Sequence, residues 1–193
     1  KGVVTEAGGE WIGPGQTAIF DLARELEIDT FPTWYQGKNV YLVGDAKFEQ
    51  DLTKGQNSNA SIVEKLNELA RGVPSKEPWT ATDAAALDKL SVGEWLTQQG
   101  VSNESKLGFD TSIGLTTGTP PSVLALLHYL SLINSADCRM EKLEGFKGGA
   151  QETRFVGGSQ ILSIKMAEAL GDKVKLSCPV RKIVGWDRDV VEL

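Results

Sequence analysis

Residues 5–16, TEAGGEWIGPGQ, place two adjacent glycines, an acid and a tryptophan ahead of a Gly-Pro-Gly turn. Adjacent glycines usually form a turn, and they also allow main-chain N–H groups to come close to a ligand. Residues 1–5 suggest a short strand, and the apolar spacing after the turn predicts an amphipathic helix over 15–28. The start of the fold is therefore predicted to be a strand, a bare glycine turn beside one large aromatic, and a helix.

Further along the chain the periodicity changes twice. Residues 30–49 alternate aromatic and polar side chains around Gly37 and Gly44, which predicts short strands or a hairpin. Helical spacing then predicts helices near 60–71, 82–88, 91–99, 103–116 and 120–134. Residues 156–193 predict a glycine-rich turn, a helix over 159–170, a strand, a turn, a second strand and a hairpin. The predicted fold class is α/β, with two ends that form one layer and a helical middle of about 100 residues.

Three local signals mark the starts of predicted helices. Asn59 or Ser61 is suited to cap the helix near 60–71. Ser91 with Glu94 forms the pattern of a capping box. The two prolines at 120–121 suit a first helical turn, where a missing N–H group does no harm.

Composition bounds the function. The chain has 193 residues and a net charge of −6, which argues against a general nucleic-acid-binding protein. No apolar run approaches the roughly 18 residues that would cross a bilayer. Two cysteines exclude a disulfide scaffold, and a reducing cytoplasm is the expected location. The chain starts without Met on what reads as a strand in progress, so we expect it to be a piece of a longer protein.

The residues by themselves indicate no catalytic group and no metal site. Cys-x-x-Cys, a Walker loop, Gly-x-Ser-x-Gly and G-x-G-x-x-G are absent from the sequence. His128 lies in the apolar run SVLALLHYLSLI and is expected to be a core or interface residue, and Cys178 a buried small residue. The glycine pairs at 8–9, 148–149 and 157–158 predict either turns or places where the main chain comes close to a ligand. The last pair precedes a predicted helix, whose N-terminus favours an anion.

Taken in order, these stretches resemble the flavin-containing amine oxidase family. GGEWIGPGQTAIFDLARELEIDTF is similar to the family segment that runs from a glycine turn into a helix. GGAQETRFVGGSQILSIKMAEALGDKVKLSCPVRKI is similar to the segment that returns to the flavin domain, and PWTATDAAALDKLSVGEWL to the link into the helical domain. The resemblance implies two pieces of an FAD-binding domain, 1–35 and 153–193, flanking a helical substrate-binding domain, 36–152. The dinucleotide fingerprint that opens this family and its C-terminal aromatic cage have no counterpart here.

The resemblance also implies roles for individual residues. Gly8, Gly9, Glu10 and Trp11 match the turn whose backbone lies along the flavin ring, and Val180 matches a valine whose backbone pairs with the adenine. Gln151 matches a glutamine that lines the substrate cavity near the flavin. Ile113 and Leu115 fall where the family presents apolar cavity walls. The alternative for all of them is a structural role, as turn glycines, a packed tryptophan and a polar residue at a domain seam.

The implied activity is oxidation of a primary or secondary amine to an imine, with FAD as cofactor and dioxygen reduced to hydrogen peroxide. The implied partners are a small-molecule amine and dioxygen, and a homodimer is left open. An L-amino-acid oxidase of the same superfamily is the nearest alternative, and it would need an arginine for the substrate carboxylate. A second alternative is a helical interaction module without activity. The chain alone is expected to be inactive, because it lacks the phosphate-binding fingerprint.

Overall fold

A computed structural model of the chain describes residues 4–43, 45–51 and 59–187. Its strands are β1 (Trp11–Ile12), β2 (Thr30–Pro32), β3 (Lys38–Val43), β4 (Ala46–Asp51) and β5 (Thr153–Phe155). Its α-helices are α1 (Thr17–Glu25), α2 (Ala60–Ala70), α3 (Ala84–Lys89), α4 (Val92–Gln98), α5 (Asn103–Thr117), α6 (Leu126–Ser135) and α7 (Gln160–Leu170). Short 3₁₀ turns cover Pro78–Thr80, Met140–Leu143 and Gly171–Lys173. The described chain is thus mixed helix and strand.

The two ends of the described chain meet in one small antiparallel sheet. The strand order is β1-β5-β2, so the central strand comes from the far end of the sequence. Arg154 of β5 faces Trp11 on one side and Phe31 on the other. Behind the sheet, α1 and α7 contribute Ala23 and Leu162 to a core that is completed by Ile12, Ile28 and Phe155. The prediction that the ends share one layer is confirmed by this pairing.

Residues 38–51 form a separate hairpin. Strand β3 pairs with β4 from Lys38 opposite Asp51 to Val43 opposite Ala46. The predicted hairpin is therefore confirmed, although Gly44 at its tip lies outside the described residues. The salt bridge between Lys38 Nζ and Glu49 Oε2, at 3.2 Å, is solvent-exposed and adds little to stability.

The helices of the middle surround their own hydrophobic core. Helix α6 supplies the largest share of it, because five of its ten residues are buried and apolar or aromatic (Leu126, Leu127, Tyr129, Leu130 and Ile133). Helices α2, α4 and α5 pack against α6 with Leu66, Leu96 and Ile113. At about 25 cal/mol per Å² of apolar surface removed from water, burial on this scale is what holds the helices together. This core is distinct from the one behind the sheet.

Helix ends follow the sequence signals closely in one case and depart from them in two. The capping box is present: the Ser91 hydroxyl accepts from Glu94 N–H, and the Glu94 carboxylate accepts from Ser91 N–H at 2.9 Å. Asn59 occupies the N-cap position of α2, but its side chain makes no capping bond. The prolines at 120–121 do not start a helix. Ala125 is held extended because it bridges to Ser91, so α6 begins only at Leu126.

Several other predictions differ from the structure in the described residues. His128 is exposed, because α6 turns its other side to the core, so it is not a core residue; the alternative of an interface residue stays a prediction. Cys178 is also exposed. Residues 174–187 contain a single bridge residue, Val184, in place of the predicted strands, and the second strand of the predicted hairpin lies outside the described residues. Of the predicted strand over 1–5, residues 4 and 5 are irregular, and 1–3 are not among those described.

Candidate functional site

The first element of the site is the open glycine turn. Gly8 has φ of 145° and Gly9 φ of 64°, and a Cβ on either would meet no atom within 4 Å. Such φ values are strained for other residues, so glycine is required by the backbone and not by crowding. The turn therefore presents bare main chain to open space, and a flat ligand can approach it there without steric hindrance.

The next two residues tie this turn to the returning segment. The Glu10 carboxylate forms a partly buried salt bridge with the guanidinium of Arg154. Trp11 pairs with Arg154 across the sheet and leaves 37% of its surface exposed. The Arg154 guanidinium also lies 5.8 Å from the ring centroid of Phe31, within the range of a cation–π contact. One arginine thus holds both outer strands of the sheet in place.

The start of α7 is closed by a carboxylate from the other end of the chain. Glu6 Oε1 accepts from the Ser159 backbone N–H, and Glu6 Oε2 accepts from the Ser159 hydroxyl at 3.2 Å. Gly158, at φ of 87°, makes this contact possible, because a Cβ there would lie 2.9 Å from Glu6 Oε1 and 2.8 Å from Val4 Cγ1. The anion predicted for this helix N-terminus is therefore the protein's own Glu6.

A tight turn over 142–151 leads into β5. Ala150 N–H donates to Lys142 C=O at 2.8 Å, and Gln151 N–H donates to Gly145 C=O at 3.0 Å. Gly13 packs against the end of this turn, since a Cβ there would lie 2.7 Å from Gly149 O. The predicted substrate residue Gln151 is thus half-buried, two residues before β5, and close in the chain to the strand that pairs with Trp11.

The other predicted site residues are not gathered around this turn. Ile113 is fully buried in the helical core, whereas Leu115 is 83% exposed. Residues two positions apart on an α-helix are separated by about 200° around the helix axis. The side chains of Ile113 and Leu115 therefore point to opposite sides of α5 and do not form one wall. Val180 is 59% exposed in the irregular segment 174–187. The structure brings together Gly8, Gly9, Glu10 and Trp11 with the strand that follows Gln151.

Sequence reasoning missed a cavity among the helices that is largely apolar and carries the carboxylates of Glu141 and Glu144. It has a volume of about 400 Å³ and lies between α5, α6 and the 3₁₀ turn at Met140–Leu143. Glu144 lines it and accepts from the hydroxyls of Ser112 and Thr116, both at 2.6 Å to Oε1. The signal available in the sequence was the pair of hydroxyl residues four apart on α5. The charged run around Glu144 concealed it, because such runs are usually solvated.

Within residues 4–43, 45–51 and 59–187, no group of three or more His, Cys, Asp or Glu side chains is arranged to hold a metal ion. Among the helices of those same ranges, none combines the length and the apolar character that a bilayer span needs.

Comparison with known proteins bears on this arrangement of turn, sheet and helices. The family model described as flavin containing amine oxidoreductase matches residues 1–193. The chain belongs to that family. The geometry of the glycine turn and the return strand does not by itself assign them to a protein family. The match to the flavin-containing amine oxidoreductases does, because it covers both of them.

Individual members of the flavin-containing amine oxidoreductase family are similar over nearly the whole chain. "Putative flavin-containing monoamine oxidase AofH" of Mycobacterium tuberculosis is 33% identical over 94% of this chain. The putrescine oxidase of Kocuria rosea is 31% identical over 94% of it. The solved structure of cyclohexylamine oxidase from Brevibacterium oxydans superimposes with a TM-score of 0.81 at 27% identity, covering 93% of this chain and 41% of that one.

The chain spans 41% of the length of AofH and 40% of the length of the putrescine oxidase. AofH is flavin-containing by name, and the family implies FAD as the cofactor. The chain therefore corresponds to part of a flavin-containing amine oxidoreductase.

Proposed function

We propose that this chain forms part of an FAD-dependent amine oxidase, which oxidises a primary or secondary amine to an imine. The observation that carries the proposal is the β1-β5-β2 sheet, in a chain that matches the family over its whole length. This sheet sets the open turn of Gly8 and Gly9 beside the segment that follows Gln151. The turn and the segment were expected, from independent stretches of sequence, to face the same flavin.

The residues present fit a flat cofactor at the turn. Gly8 and Gly9 leave open space beside their backbone, and Trp11 is half-exposed next to them. Gly8, Gly9, Glu10 and Trp11 would hold the ring, and the backbone of Val180 the adenine. The N-terminus of α7 does not take part in phosphate binding, because Glu6 occupies it. A bound flavin would supply the acceptor for the two electrons removed from the amine, and dioxygen would then take up these electrons and be reduced to hydrogen peroxide.

The chain's own residues would bind and orient the amine. Gln151 would hold the nitrogen through its side-chain amide, and Leu115 would supply apolar wall and exclude water. Ile113 contributes only behind that wall, since it is buried in the core. No side chain of the chain is required as a general acid or base. In this proposal residues 1–35 and 153–193 belong to the FAD-binding domain and 36–152 to the substrate-binding domain.

The exposed apolar side chains of the return segment support a larger assembly. Leu170, Leu176, Val180, Ile183 and Trp186 are all more than half exposed. Large apolar side chains left exposed along one segment favour packing against further protein. We propose that the remainder of the FAD-binding domain covers them, that the whole protein is cytoplasmic, and that a homodimer is its form in solution.

Peroxide release by the full-length protein tests the oxidase. Tyramine, putrescine and L-leucine, each assayed with a coupled peroxidase, separate the alternatives. Oxidation of tyramine or putrescine, with no oxidation of L-leucine, supports the proposal. Oxidation of L-leucine alone indicates an L-amino-acid oxidase. Absence of peroxide with every amine tried would overturn it.

Retention of FAD by the 193-residue chain tests the division of the site. The chain is mixed with FAD and desalted, and its flavin absorbance is compared with that of the full-length protein. We expect the full-length protein to retain flavin and the chain to lose it. A full-length protein that retains none would favour the alternative of a non-catalytic helical interaction module.

A further inference from the structure

A row of three side chains crosses the outer face of the β1-β5-β2 sheet. The strand register sets Trp11 opposite Arg154 on one side and Phe31 opposite Arg154 on the other. Side chains alternate between the two faces of a strand, so the neighbouring Ile12 and Phe155 point the other way, into the core behind the sheet. Arg154 is therefore the central member of the row, with an aromatic side chain on each side.

The Arg154 guanidinium makes two different contacts from this position. It forms a salt bridge with Glu10, and it lies 5.8 Å from the ring centroid of Phe31. Both charged side chains are largely withdrawn from water, with 31% of Arg154 and 19% of Glu10 exposed. Among the residues that the structure describes, Glu10 is the one carboxylate that pairs with Arg154. Removal of the arginine therefore leaves a mostly buried carboxylate without its counter-charge, which costs more than the loss of an exposed pair.

A planar guanidinium suits this place better than an ammonium group. Arginine can direct N–H groups at a carboxylate while its flat face lies over an aromatic ring. Lysine would keep a positive charge for Glu10, but it would lose the fixed fork and the stacked arrangement over Phe31. We therefore expect lysine to replace Arg154 only in part.

The salt bridge of Arg154 joins the two stretches that are expected at the flavin. Glu10 directly follows the open glycine turn at 8–9, and Gln151 lies three residues before Arg154 on the return segment. The strand β5 that carries Arg154 begins only two residues after Gln151. A shift of Arg154 would therefore change the position of the glycine turn relative to Gln151.

We propose that Arg154 is a positioning residue of the oxidase, which fixes Trp11 and the glycine turn relative to Gln151. It acts through Glu10 and Phe31, and not by contact with the amine or the flavin. This inference rests on the proposed amine oxidation. A misplacement of about 1 Å between reacting groups can lower a rate by about a hundredfold. The loss of Arg154 should therefore affect the chemical step and the surroundings of the flavin, in addition to stability.

The test uses the full-length protein with the variants Arg154→Met, which removes the charge, and Arg154→Lys, which keeps it. Arg24→Met is the matched control, because Arg24 forms its salt bridge with Asp21 in an exposed position on α1. Three quantities are measured: the Kd of the apoprotein for FAD, the visible circular dichroism of the bound flavin, and kcat and KM per bound flavin. The substrate is whichever of tyramine and putrescine the wild type oxidises, and Tm is recorded for every variant.

We expect Arg154→Met to weaken FAD binding about tenfold and to lower kcat per bound flavin about tenfold, with KM changed less than about twofold. The visible circular dichroism of its flavin should differ from that of the wild type. Arg154→Lys should recover part of each loss, and Arg24→Met should match the wild type. A lower Tm of Arg154→Met with unchanged FAD binding, flavin dichroism and kcat per bound flavin would show a role in stability alone and would overturn the proposal.

Combination of Arg154→Met with Glu10→Gln tests the route of the effect. If Arg154 acts through Glu10, the double variant should lose little more FAD affinity than Arg154→Met alone, because the two residues form one interaction. Losses of FAD affinity that add up in the double variant would overturn this route. FAD binding that depends on Arg154, in a full-length protein that releases no peroxide with any amine, would refute the oxidase and leave the positioning of the glycine turn standing.

Discussion

The carboxylate of Glu6 accepts two hydrogen bonds from Ser159, one from its backbone N–H and one from its hydroxyl, across 153 residues of chain. This contact fastens the segment before the glycine turn to the helix after the return strand. It also places negative charge at the positive end of α7, where it is stabilising.

Replacing Glu6 measures the strength of that fastening. Glu6→Ala leaves the Ser159 N–H without its acceptor and should lower the free energy of unfolding by about 1–2 kcal/mol. Glu6→Gln keeps an acceptor and should lose less than half of that. Urea denaturation gives the values, with the exposed Glu25→Ala as control. Equal stability of Glu6→Ala and wild type would contradict the contact.

The glycines at 157 and 158 form a matched pair. Both have positive φ, 89° and 87°, but only a Cβ on Gly158 would meet Val4 and Glu6. Gly157→Ala should therefore cost about 1 kcal/mol from backbone strain alone. Gly158→Ala should cost about 1–3 kcal/mol more, because it also displaces Glu6 from Ser159. Thermal unfolding of both variants checks the order, and the reverse order would show that the contact is misplaced.

Substitutions of Ile113 and Leu115, which both lie on α5, test stability and substrate binding separately. Ile113→Ala removes buried side chain and should lower the free energy of unfolding by about 2–5 kcal/mol. Leu115→Ala should change it by less than about 0.5 kcal/mol, since Leu115 is exposed. If Leu115 is part of the substrate wall, its variant should raise KM in the full-length protein without loss of stability. An unchanged KM would remove Leu115 from the site.

The capping box predicts a pH dependence of stability. The Ser91 backbone N–H, followed by the Ser91 hydroxyl, lowers the pKa of Glu94 from its ordinary value of 4.5. A lowered folded pKa means that this contribution is fully present above pH 4.5 and is lost as the pH falls through the folded value. Glu94→Gln should thus lower Tm at neutral pH, and the difference from wild type should shrink in acid. Differences that grow on acidification would contradict the assignment.

Much of the helical middle could be predicted because its signals are local. Helical spacing located α2 to α5 to within a few residues, and Ser91 with Glu94 predicted a cap that is present. Helix α6 was misplaced at its start, because the bridge between Ser91 and Ala125 is a tertiary contact that no local rule for prolines contains.

The sheet and the site depend on contacts that periodicity does not encode. Strands of two or three residues, such as Trp11–Ile12, are too short to show alternation. The Glu6–Ser159 and Glu10–Arg154 contacts join residues far apart in sequence. The two ends were expected to share one layer, but no signal in the sequence paired these particular residues. His128 and Cys178 are exposed, in contrast to the buried positions that their immediate neighbours in sequence favoured.

The position of β5 between β1 and β2 has a consequence for synthesis of the chain. The outer strands end at Pro32, while their shared central strand begins at Thr153. At about 5–20 residues per second, the ribosome delivers that strand roughly 6–24 seconds after its partners. The residues of the helical core lie between Ile62 and Leu143, so the core is synthesised before β5 and can condense in this interval. We therefore expect the middle of the nascent chain to fold first and the two ends to join around it last.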